Sequence, residues 1–152
     1  MAMPLQTVLL SALAMVAGAA IAFQLPINAA AGARLGHPIG GATLSFLAGS
    51  VFLIVLSLAT VRNQISVASA ASLEPVLYVG GLLGALYVVI TIALVPYLGA
   101  SAVIVLSIAG QVVAGLLLDH YGALGLVTHH VTFGRALGAV LVVAGAMMVK
   151  YF

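Results

Sequence analysis

The 152-residue chain is 65% hydrophobic and only 4% charged, far below the roughly one-quarter charged composition of soluble domains, which excludes water as its only solvent. Four cations against two acids leave a net charge of +2, and without a basic patch this gives no footing for nucleic-acid recognition. Cysteine is absent, so disulfides and thiolate metal sites are excluded.

A hydrocarbon core about 30 Å thick takes roughly twenty mostly apolar residues, each rising about 1.5 Å. The first segment to meet that measure runs from about Pro4 to Phe23. Ala17, Ala19 and Ala22 mimic the small-residue spacing of a cleavable leader. Met1 to Thr7 carries no side-chain cation, however, and further apolar segments follow, so the segment is read as a span. Pro26 disfavours helical geometry at Leu25 and removes a backbone donor, which predicts that the first helix ends before it. The amides of Gln24 and Asn28 then either line a pocket mouth, as broken helices do in transporters, or mark an ordinary interfacial helix end.

The second span is predicted over about Pro38 to Ala59 and the third over about Pro75 to Tyr97, each opened by a proline suited to a first helical turn. Glu74 precedes the third and complements its amino-terminal dipole. A tight turn at Pro96-Tyr97-Leu98-Gly99 leads into the fourth span, about Ala100 to Leu118, and the fifth covers about Phe133 to Val149. Continuous runs rich in alanine, leucine and glycine lack the alternation of a membrane barrel. The expected fold is an all-α integral membrane helical bundle of five transmembrane helices, a single domain over residues 1–152.

Orientation is tested by counting lysine and arginine on each side of the spans. Five crossings place Arg62 and Arg135 on the amino-terminal side, and Arg34 and Lys150 on the other. This even split gives no bias, so the chain is expected to insert in both orientations and to pair head to tail with a second copy. An odd helix number points the same way, because inverted-repeat transporters need two similar halves of opposite orientation and no internal repeat is visible. An even split among so few charges also arises by chance.

The segments Phe23-Gln24-Leu25-Pro26-Ile27-Asn28-Ala29, Gly36-His37-Pro38, Gly80-Gly81-Leu82-Leu83-Gly84-Ala85-Leu86-Tyr87-Val88, Gly110-Gln111 and Asp119-His120-Tyr121-Gly122 together resemble the YdcZ-type family of the drug/metabolite transporter (DMT) superfamily. The likeness covers nearly the whole chain. Members of that family are five-helix units, found as dual-topology single genes, as oppositely oriented pairs or as fused ten-helix proteins. The resemblance therefore implies an antiparallel two-unit transporter and a multi-pass place in the bacterial inner (plasma) membrane. It implies no particular substrate.

Polar groups inside hydrocarbon are costly unless paired or facing a cavity, which makes the few present the default site candidates. Gly80, Gly84, Tyr87 and Thr91 fall on one stripe of the third span, and Ser107 and Gln111 lie one turn apart on the fourth. Gln111, near mid-span, is the deepest strongly polar side chain; it either contacts solute or bonds to a neighbouring helix. Tyr87 offers a ring face and a hydroxyl, or simply packs. The substrate-binding candidates are Gln111, Ser107, Tyr87, Gln24 and Asn28. Glu74 and Asp119 are the only acidic side chains, hence the candidates for ion coupling, and Asp119, near a helix carboxyl end, needs a partner such as Arg135, His120 or a backbone donor. Gly134, Gly138 and Gly145 make a small-residue face on the fifth span, the preferred dimer seam, with packing inside the chain as the alternative. Gly41, Ser45 and Gly49 on the second span, and Thr7, Ser11, Gly18 and Ala22 on the first, offer similar faces.

His129 and His130 lack a third ligand at suitable spacing, so no metal and no cofactor is expected. No nucleophile-base pair or carboxylate cluster suggests an enzyme. The expected function is transport of a small organic solute by an antiparallel dual-topology homodimer, its partners being a second copy, the lipid bilayer and the solute. A non-transporting membrane subunit of a larger complex is the alternative.

Overall fold

The computed structural model describes residues 4–61 and 66–152, so Arg62 in the charge count lies outside the described residues. The helices are α1 (Leu5–Arg34), α2 (Pro38–Thr60), the short α3 (Val67–Ala71), α4 (Val79–Leu98) behind a 3-10 turn at Pro75–Tyr78, α5 (Ala100–Tyr121) and α6 (Phe133–Tyr151). Among the described residues, five segments are long and apolar enough to cross a membrane: Leu5–Arg34, Pro38–Thr60, Pro75–Leu98, Ala100–Tyr121 and Phe133–Tyr151. The all-α, five-span reading of the sequence is correct.

The first helix departs from expectation, because α1 passes through Pro26 and continues to Arg34. Proline removes a single hydrogen bond from the ladder, while the alanine-rich stretch after it favours helix and buries Leu25, Asn28 and Gly32. Packing of that second half outweighs the local penalty. α1 ends instead at a Schellman turn: Gly36 sits at φ +79, His37 N–H donates to Gly32 O at 3.0 Å and Gly36 N–H to Ala33 O at 3.3 Å. His37 then caps α2 by accepting the Ile39 N–H on Nδ1 at 3.2 Å, with Pro38 in the first turn. Pro96 is likewise inside α4, and Gly99 alone, at φ +78, separates α4 from α5.

The chain divides into two compact units, Met1–Ala93 and Leu94–Phe152. In the first, α1 and α2 pack closely because a side chain is missing where they meet. A Cβ on Gly41 would lie 2.4 Å from Asn28 O and 2.7 Å from Gly32 N. Ile92 of α4 reaches the same place, its Cγ2 at 3.4 Å from where a Cβ on Gly32 would sit. Small residues permitting close backbone approach are how helices associate in lipid, where apolar burial supplies little drive.

In the second unit α5 packs against α6, with Ala102 and Ala109 buried on one and Ala139 and Ala146 on the other. Both pairs are seven residues apart, two turns of one helix face. Among the described residues, the most apolar window of each span is at most 17% buried.

Candidate functional site

The predicted polar residues fall into three groups. In α1 and α2, Gln24 Nε2 donates to Ser45 Oγ at 3.3 Å. Asn28, one turn further along α1, is buried where Gly41 approaches its carbonyl. The sequence sets these two residues at a helix break, as either a pocket mouth or an interfacial helix end, but α1 is continuous through Pro26. They line the α1–α2 seam instead. Ser45 was placed in the sequence on the small-residue face of α2; that it would serve as partner to Gln24 required the register of the two helices.

On α4, Tyr87 is partly exposed and Thr91 is buried. The Thr91 hydroxyl donates back to its own helix, 3.0 Å from Tyr87 O and 3.1 Å from Val88 O, so it needs no partner across the membrane. A cleft of about 370 Å³ runs between α2 and α4, with Thr43, Phe46 and Ser50 on one wall and Ala85 and Val89 on the other. No predicted site residue lines it. The signal in the sequence was the pair of hydroxyls, Thr43 and Ser50, two turns apart on α2.

On α5, Ser107 is half-buried and Gln111 exposed. Gln111 makes no side-chain hydrogen bond among the described residues, whereas Gln24 does. At the end of the same helix Asp119 pairs with Arg135 of α6, both side chains 34% exposed. The guanidinium also donates to His129 O at 2.8 Å, and His129 N–H closes the ring on Asp119 O at 2.8 Å. His120 Nδ1 accepts the Val131 N–H at 3.1 Å, and its ring meets that of His130 edge to face at 5.3 Å. Gly122 ends α5 in the left-handed region at φ +58, against Thr128. Asp119, unfavourable alone at a helix carboxyl end, is thus compensated by a cation opening the next helix. No cluster of three metal-ligating side chains occurs among the described residues.

Glu74 lies before the 3-10 turn, exposed, and makes no side-chain cap. Gly134, Gly138 and Gly145 of α6 are exposed, and a Cβ at any of them would meet nothing within 4 Å. Within the second unit, among the described residues, this face is left open.

The family model described as "Putative inner membrane exporter, YdcZ" matches residues 9–148. The chain belongs to the YdcZ family. It is a multi-pass inner-membrane protein and a membrane transporter. No curated protein and no solved structure matches this YdcZ-family chain.

Proposed function

We propose that this YdcZ-family protein exports a small organic solute as an antiparallel, dual-topology homodimer, with a central site between protomers contacted by Gln111, Ser107 and Tyr87, while Gln24 and Asn28 serve the α1–α2 seam. The observation that carries this reading is Gln111, a primary amide near the middle of a membrane span with no partner among the described residues. Two donors and two acceptor lone pairs left unmatched in hydrocarbon are costly, so the amide belongs against a cavity or a second chain. The glycine face of α6, open within its own unit among the described residues, supports a close helix contact with a second copy, with Gly134, Gly138 and Gly145 at the seam. The even division of arginine and lysine supports opposite insertion of the two copies. Of the two carboxylates, Asp119 is engaged by Arg135, whereas Glu74 makes no side-chain hydrogen bond among the described residues. Glu74 and Asp119 are the two carboxylates proposed to couple export to an ion.

The test is a thermal-shift screen of small organic solutes on the purified dimer, followed by export measurements with Gln111→Ala. A solute that stabilises the native dimer is expected to lose its shift and its flux in the variant. A shift and flux that survive Gln111→Ala would remove the central site.

A further inference from the structure

A second feature lies apart from the residues proposed to contact solute. Ile27, Ala30, Ala31 and Arg34 occupy one stripe of α1 and, with Leu35 and Leu44, line an open groove of about 490 Å³. The two alanines form a shallow floor. Ile27, Leu35 and Leu44 are each more than half exposed, so the groove opens to the chain's surroundings. At 30 residues, α1 is about 45 Å long against a hydrocarbon core of about 30 Å, so a helix crossing the membrane carries one end out to the headgroups.

Arg34 stands in the last turn of that helix and has no carboxylate partner among the described residues. The carbonyls there are already served by the Schellman turn at Gly36 and His37, so the guanidinium is not needed to cap them. A planar, permanently charged fork at the end of an apolar trough matches a phosphate attached to an acyl chain.

We infer that this groove is a binding site for an anionic phospholipid, one acyl chain lying over Ala30 and Ala31 and the phosphate on Arg34. The trough accepts a chain from any lipid; the guanidinium selects a net negative headgroup, by about fivefold for one cation near the membrane surface. The lipid holds the exposed end of α1 against the start of α2.

Native mass spectrometry of the full chain, released from neutral detergent with equal phosphatidylglycerol and phosphatidylcholine, tests this directly. The native chain is expected to retain phosphatidylglycerol about fivefold over phosphatidylcholine, and Arg34→Gln to retain the two equally. Arg34→Lys and Lys150→Gln are expected to keep the preference, and Ala30→Leu, which fills the floor, to lose both lipids. Equal retention by the native chain, or a preference that survives Arg34→Gln, would overturn the site. Loss of the dimer in Ala30→Leu, with no lipid retained by the native chain, would assign the groove to a second copy and also overturn it.

Discussion

Arg135 holds two backbone-distant groups with one guanidinium, the Asp119 carboxylate and the His129 carbonyl, and so ties the end of α5 to the start of α6. Both partners are a third exposed, and solvent screening limits what such a pair contributes. Asp119→Ala and Arg135→Ala are each expected to cost about 1 kcal/mol, and the double variant less than their sum by about 0.5 kcal/mol. A thermal-unfolding cycle in detergent measures this; strict additivity would mean that the two side chains do not act as a pair. The need for a partner at Asp119 was legible in the sequence, because a carboxylate at a helix carboxyl end is unfavourable by itself. The identity of that partner among Arg135, His120 and a backbone donor depended on how the 122–132 connection folds, with Gly122 in the left-handed region. Gln111 was similarly legible as a deep amide, while its making no side-chain hydrogen bond among the described residues depends on tertiary structure.

At the scale of helices, the five spans followed from hydropathy, and their proline-marked starts at Pro38 and Pro75 were read correctly. The end of the first was not. Local geometry at Pro26 predicted a break, but burial of Leu25, Asn28 and Gly32 carries the helix on, an effect that only the neighbouring α2 supplies. Gly41 is the residue on which that packing depends. Gly41→Ala places a Cβ within 2.9 Å of three backbone atoms of α1 and is expected to cost about 1–3 kcal/mol, as overpacking does. Gly49→Ala, two turns along α2 in open space, is expected to change stability by less than about 1 kcal/mol. Comparing their unfolding temperatures separates packing from helix propensity; equal effects would remove Gly41 from the seam.

For the whole molecule, composition gave the membrane and motif content gave the family, and neither depended on coordinates. What the sequence did not display is how little of each span is covered by the chain itself, at most 17% of the most apolar window. Apolar surface suits lipid tails, yet the glycine face of α6, open within its own unit, and the Gln111 amide, without a hydrogen-bond partner among the described residues, call for protein or solute. In the proposed assembly that partner is a second copy, inverted, as the positive-inside balance favours. Because the 152 residues contain no cysteine, one introduced at the exposed Phe152 as Phe152→Cys reports orientation without background. A membrane-impermeant thiol reagent applied from either face is expected to label about half of the molecules each time; labelling from one face alone would contradict the antiparallel homodimer.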